Sequence, residues 1–157
     1  MGNIVMLAEK NPADRYSEFL DRCRAMGLKG THQRAEIYRE LEGTDEHPDA
    51  KTIYRRVRRR MPAISFDTVY RTLRLFEEKG VISSVAYASG SARFDANTAR
   101  HGHFVCTSCG YVGDVFAEEL ASLQVPEIAC RLGRVDAVHV ELRGICTTCL
   151  AMKETKP

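Results

Sequence analysis

Two pairs of cysteines constrain this chain more than anything else in it. Cys106 with Cys109, and Cys146 with Cys149, are each spaced Cys-x-x-Cys, the ligand spacing of a tetrahedral four-thiolate zinc site. Such a site requires the two pairs to meet in space, so the segment between them must fold back on itself. Thiols kept for metal rather than oxidised in pairs suit a reducing compartment. The N-terminal "IVMLA" is too short for a signal-peptide core and runs straight into "EKNPADR". No apolar run approaches the roughly 18 residues of a membrane span. The expected location is therefore cytoplasmic, with no membrane partner. Cys23 and Cys130 stand alone and are expected to be buried small apolar residues.

The 157 residues, 44% of them hydrophobic, suffice for one domain or two small ones. Charge divides them: residues 1–97 hold 17 Lys and Arg against 14 Asp and Glu, whereas residues 98–157 hold 6 against 7. Much of the basic surplus lies in "YRRVRRR" at 54–60, a run that suits either a polyanion or a solvated helix face. Four helices are expected around it. The first covers about 13–26, with Tyr16, Phe19, Leu20 and Cys23 at helical spacing and Gly27 closing it. The second opens on Thr31 as N-cap, buries Ile37, Tyr38 and Leu41, and ends at Gly43. The third runs from about Ala50 to Met61 with Ile53, Val57 and Met61 inward, until Pro62 stops it. Ser65 caps the fourth, Asp67 suits its positive end, and Val69, Leu73 and Phe76 form its buried stripe up to Gly80.

With that stripe inward, Thr68, Arg71 and Arg74 lie off it and Tyr70 flanks it. The short "PAI" between the third and fourth helices resembles the turn of a helix-turn-helix, which makes this exposed face a candidate DNA reader. A plain solvated helix is the alternative. After Gly80 the period becomes alternating: "VISSVAYASGSARFD" reads as strand, Ser-Gly-Ser turn and strand, the size of a winged-helix wing. Arg93 on that wing is placed to reach a phosphate. Beyond Thr98 come "GYVGDVF", a helical "AEELASLQVPEIACRLG" and a strand "AVHVELRGIC", then a short polar tail "AMKETKP" expected to fray. The fold class is α+β. The last 50 to 60 residues are of marginal size for a core alone, so structural zinc or a partner subunit is expected to stabilise them.

Between these halves lies "HGHFVCTSCG". The four cysteines already fill a tetrahedral zinc, which leaves His101 and His103 to another role. Two apart in sequence, they point to one side if the segment is extended. Asp95 and Asp114 flank them, and a His/carboxylate set suits Fe(II), Mn(II) or Zn(II). Ordinary surface histidines remain the alternative.

"ISFDTVYRTLRLFEEKGVI", "SARFD", "HGHFVCTSCG" and "CTTC" resemble, in order and spacing, the successive signatures of the ferric uptake regulator family of bacterial metal-dependent repressors. The likeness runs from about Gly27 to Cys149. It implies an N-terminal winged-helix DNA-binding domain over 1–94 with its wing at about 81–94, a hinge at 95–100, and an α/β dimerisation and metal-binding domain over 101–157. It implies a homodimer on a pseudo-palindromic double-stranded operator, structural zinc on Cys106, Cys109, Cys146 and Cys149, and no enzymatic activity. Carried across residue by residue, the regulatory ligands for Fe(II) or Mn(II) are His47, Asp95, His101, His103 and Asp114. Asp at 114, where iron-sensing members commonly have Glu, is similar to the peroxide-sensing branch. There Fe(II) and hydrogen peroxide oxidise a ligand imidazole, with His47 and His101 the candidates. Sensing of iron, manganese or zinc levels is the alternative within the family.

Three departures accompany the likeness. Arg100 and Gly102 stand where many members carry ligands of an additional site. His139 aligns one residue away from that site's histidine and is read as a non-ligand. His32 replaces a common Pro and is read as an exposed first-turn residue, while Lys29 matches a position that in some relatives reaches the DNA minor groove. Two readings from other classes stay open. One is a small non-heme iron enzyme, since two histidines and a carboxylate also make an oxygenase site. The other is a zinc-ribbon interaction module with no regulatory metal.

Overall fold

The computed structural model describes residues 11–42, 44–85, 91–135 and 137–154. Its elements run α1 (Pro12–Ala25), α2 (His32–Arg39), α3 (Ala50–Arg60), α4 (Phe66–Glu78), β1 (Ser83–Val85), β2 (Arg93–Asp95), β3 (Gly102–Cys106), β4 (Val112–Val115), α5 (Glu118–Ala121), α6 (Glu127–Leu132), β5 (Val140–Gly144) and α7 (Thr147–Glu154). They divide into two compact units. The first takes the described residues up to Thr44, then Pro48–Ser84 and Arg93–Thr98; the second takes Asp45–His47 with the described residues of 85–92 and from Ala99 on.

In the first unit the helix starts follow from capping. Thr31, Asp49 and Ser65 are extended at N-cap, and their side-chain oxygens accept from the amides of Arg34, Thr52 and Thr68, each such cap contributing about 1 kcal/mol. Gly27 and Gly80, past the ends of α1 and α4, have φ of 67° and 68°, the left-handed exit that glycine adopts without strain. The core consists of Phe19, Ile37, Leu41, Ile53, Val57, Val69, Leu73 and Phe76. Phe19, Tyr38 and Phe76 form an aromatic triangle with centroids 5.1, 6.0 and 6.2 Å apart. Arg60 near the end of α3 pairs with Glu36 and Glu40 beside α2. Arg22 of α1 donates to the Tyr38 hydroxyl at 2.6 Å, to Ala96 O at 3.2 Å and to Thr98 Oγ1 at 2.6 Å, tying α1 to the chain after β2.

Several details differ from the periodicity. Tyr16 is exposed, because the inward face of α1 is carried by Phe19 and Cys23. Met61 is half-buried and forms the C-cap of α3 rather than its last inward turn. The expected end of α2 at Gly43 and the Ser89 and Gly90 part of the wing turn lie outside the described residues. The wing strands themselves are present as the two-stranded sheet β1-β2.

The second unit is built on a three-stranded sheet of order β4-β3-β5, β3 running antiparallel to β4 and parallel to β5. Val85, Val105 and Val112 form its small buried cluster. The single helix expected over 117–133 is broken into α5 and α6. Pro126 lacks an amide hydrogen and disfavours helix in the residue before it, so a new helix starts only after it. The tail is not frayed from residue 151: α7 continues through Glu154. Cys130 is exposed on α6, contrary to expectation, since α6 buries none of its residues within the chain. Cys23 is fully buried as expected, and that burial pushes its thiol pKa up.

Candidate metal centres

Local pairing in the second sheet assembles both ligand clusters. The register sets Cys106 opposite Gly144, and Gly144 O accepts from the Thr107 amide at 2.8 Å and the Thr107 hydroxyl at 3.0 Å. The chain leaving β5 therefore delivers Cys146 to Cys106, and Cys149 follows on the first turn of α7. Gly110, with φ of 74°, closes the knuckle after Cys109 and donates to Cys106 O at 2.9 Å. The sulfurs of Cys106, Cys109, Cys146 and Cys149 all lie within 4.8 Å of one another. Cys109 and Cys146 are 3.8 Å apart, and the Cys146 amide donates to the Cys106 sulfur at 3.3 Å.

That crowding splits the thiols electrostatically. Amide hydrogen bonds from Cys146 and Cys109, with a further one from Ser108, hold the Cys106 thiol down at about 6. The Ser108 side chain pulls Cys149 downward, but the neighbouring thiols of Cys146 and Cys109 outweigh it and push Cys149 up to about 12. Four sulfurs this close cannot all ionise unless a cation sits among them, and a soft divalent ion on four thiolates removes the conflict.

The second cluster forms on the opposite part of the same sheet. His103 of β3 pairs directly with Asp114 of β4, and cross-strand partners share one face. His101 lies two residues before His103, so both imidazoles reach the same side: their Nε2 atoms are 2.9 Å apart. His47 enters from Asp45–His47, the short segment that groups with this unit. Its φ of 46° makes it the one non-glycine residue with positive φ among the described residues. Such a backbone costs of order 1–3 kcal/mol and persists where the side chain is held to a purpose.

The proton positions give this cluster its meaning. His47 Nδ1 lies 2.9 Å from Asp45 O, and His101 Nδ1 lies 2.7 Å from Ala99 O. A carbonyl only accepts, so each Nδ1 carries the hydrogen and each Nε2 is turned into the cluster, where the neutral form of the ring offers a lone pair. There His47 Nε2 approaches Asp114 Oδ1 to 2.8 Å without hydrogen-bond geometry. The Nε2 atoms of His101 and His103 lie 3.4 and 3.5 Å from the same oxygen. The four side chains are 0, 3, 10 and 12% exposed for His47, His101, His103 and Asp114. Buried lone pairs converging on one point repel one another unless a cation lies between them, and one proton serves only one pair. The donor set fits a borderline or hard divalent metal.

One contact had no signal in the motif: the Phe116 ring stacks on His101 at 5.2 Å and 26°, although Phe116 is 68% exposed. Its alternation two residues beyond Asp114 places it on the same face, which is the clue the sequence offers. Asp95 ends β2 in the first unit, buried, its Oδ1 accepting from the Asn97 amide at 2.7 Å. His32 is the exposed first residue of α2, and His139 is exposed just before β5, in neither ligand cluster.

On α4, Tyr70, Arg71 and Arg74 are exposed, while Thr68 is half-buried with its hydroxyl 2.8 Å from that of Ser65. Arg71 lies 3.6 Å from Asp67, and the Tyr70 side chain hydrogen-bonds Arg74, which holds that guanidinium above its ordinary pKa. Lys29 is exposed ahead of α2, and Arg93 is half-buried on β2.

The profile of the ferric uptake regulator family matches residues 25–143. The chain belongs to that family. It is 33% identical over 147 residues to the peroxide-responsive repressor PerR of Staphylococcus epidermidis, spanning 92% of this chain and 97% of that one. A zinc-bound manganese uptake regulator superposes with a TM-score of 0.59 at 32% identity, covering 80% of this chain and 96% of that one. The manganese-containing ferric uptake regulator of Pseudomonas aeruginosa gives 0.64 at 27% identity, covering 81% and 96%. The winged-helix and α+β architecture is thus the family's, and the relatives matched are regulators. Among the described residues no helix is long and apolar enough to cross a membrane.

Proposed function

We propose that this family member is a dimeric, metal-dependent transcriptional repressor that senses hydrogen peroxide. The observation that carries the reading is the convergence of three buried Nε2 atoms and the Asp114 carboxylate within one unit. Asp95 completes this ligand set by the family resemblance. With His47 contributed by the DNA-binding domain, Asp95 by the hinge and His101, His103 and Asp114 by the dimerisation domain, metal affinity is linked to one arrangement of the two domains, and metal selects the DNA-competent form. Division near residues 95–100 belongs to the same proposal, as does a cytoplasmic location, which four unpaired thiols require to stay reduced.

The four-cysteine site takes structural Zn(II), and the His/Asp site takes Fe(II) or Mn(II). When bound, Fe(II) supplies one-electron reduction of peroxide beside the imidazoles, whereas Mn(II) supports repression without that reaction. His47 and His101 orient their Nε2 atoms inward through Nδ1–carbonyl hydrogen bonds, and by the family resemblance these two rings are the candidates for oxidation. Net oxidation inserts one peroxide oxygen into an imidazole and leaves the other as water. The oxidised ring is a poorer donor, the ligand set loosens and DNA is released.

Dimerisation is supported by apolar side chains that the second unit leaves outside: Ile128 at 64%, Leu132 at 87% and Leu142 at 45% exposed. A second copy covering them adds burial that the small valine cluster lacks. Lys29, Thr68, Tyr70, Arg71 and Arg74 present the face to a pseudo-palindromic operator.

The test loads the protein anaerobically with Fe(II) or Mn(II), adds stoichiometric peroxide, and follows operator binding with peptide masses over His47 and His101. Loss of binding with iron only, with one oxygen added to either peptide, is expected. Unchanged masses, with binding that tracks metal occupancy, would replace peroxide sensing by metal-level sensing.

A further inference from the structure

The core face of α4 is Val69, Leu73 and Phe76, yet the helix begins with a phenylalanine outside that face. Phe66 is 41% exposed, and Tyr70, one turn on, is 43% exposed. Phe66 is held rather than loose. The Tyr54 ring of α3 meets it edge-on at 5.6 Å and 84°, and Tyr70 stacks beside it at 6.3 Å and 27°. The Arg58 guanidinium lies 5.7 Å from the Tyr54 centroid, and Tyr70 bonds Arg74. Arg58, Tyr54, Phe66, Tyr70 and Arg74 thus form one row across α3 and α4, cationic at both ends and apolar in the middle.

The first turn of a reading helix is the part that approaches base edges in the major groove. There thymine alone offers an apolar group, its C5 methyl, and a Phe ring is one of the side chains that contacts it. The cations at both ends of the row match flanking phosphates. From this row we infer that Phe66 is a specificity-determining residue that reads a thymine methyl in each half-site. Tyr54 acts as its positioning residue from α3. The inference rests on the DNA-binding reading.

The experiment uses full-length, zinc- and Mn(II)-loaded protein to enrich duplexes from a random pool, then replaces each thymine of the enriched site by deoxyuridine, which lacks the methyl. Wild type is expected to lose roughly fourfold in affinity at one thymine per half-site, the equivalent of one buried methyl. Phe66→Ala should bind more weakly and become indifferent to that replacement, while Phe66→Leu keeps part of the discrimination. Tyr54→Ala should reduce the discrimination with Phe66 intact. Phe66→Ala with undiminished thymine discrimination, or specific wild-type binding with no methyl dependence, would overturn the assignment of Phe66 and leave DNA binding standing. A pool that enriches no sequence would overturn the DNA-binding reading and the inference with it.

Discussion

Removing the four-cysteine metal should unfold the second unit and spare the first. The second unit's buried apolar cluster is three valines, Val85, Val105 and Val112, which together contribute about 5–9 kcal/mol of burial. A structural zinc contributes about 10–16 kcal/mol in small metal-folded domains, so the metal stabilises this unit more than its valines do. The site also fixes the geometry of β3 and β5, because Cys106 ends one strand and Cys146 follows the other. Cys106→Ser keeps a small side chain but replaces a soft thiolate by a poor zinc ligand. Deuterium exchange should then show lost protection in β3, β4 and β5, with α1 to α4 still protected by the Phe19–Tyr38–Phe76 triangle. If elemental analysis finds no zinc while β3 to β5 stay protected, the second unit does not depend on the metal for its fold.

Other perturbations have equally defined outcomes. Between pH 6 and pH 12 Cys106 is a thiolate while Cys149 keeps its proton; zinc uptake near neutrality should therefore release at least one proton, and zinc affinity should rise with pH, as indicator-dye titration can measure. Phe116→Ala uncovers one face of His101 and should speed Mn(II) transfer to a chelator at unchanged melting temperature; an unaltered transfer rate would show that the ring shields nothing. Leu73→Ala in the fully buried stripe of α4 should cost about 2–5 kcal/mol in urea unfolding. Ser65→Ala, which removes the hydroxyl cap of the same helix, should cost about 1 kcal/mol.

The first unit was legible because its signals are local. Thr31 and Ser65 are cap residues followed by helical spacing, and Pro62 and Gly80 are stops, so the inward stripe of α4 follows from three positions. The cysteine cluster was legible for another reason: four like ligands in paired spacing admit few arrangements. His101 and His103 were readable only as a pair on one side, since strand geometry sets that and nothing more. Their meeting with Asp114 depends on a β3–β4 register that no local rule supplies, and the arrival of His47 needs a left-handed backbone that histidine rarely adopts. The break at Pro126 was visible but yielded to a longer periodic reading. Tyr16 and Cys130 show the limit of residue type as a guide: one lies off the inward face of its helix, the other on a helix that buries nothing within its own chain.

The most direct test of metal-linked repression is operator affinity by fluorescence anisotropy, with and without Mn(II), for wild type and Asp114→Ala. Asp114 is the residue whose single oxygen all three imidazoles approach. Mn(II) is expected to tighten wild-type binding at least tenfold, and Asp114→Ala, with zinc and fold intact, to bind weakly whether or not Mn(II) is present. Equal tightening by Mn(II) in the variant, or wild-type binding indifferent to the metal, would show that repression is not linked to this site.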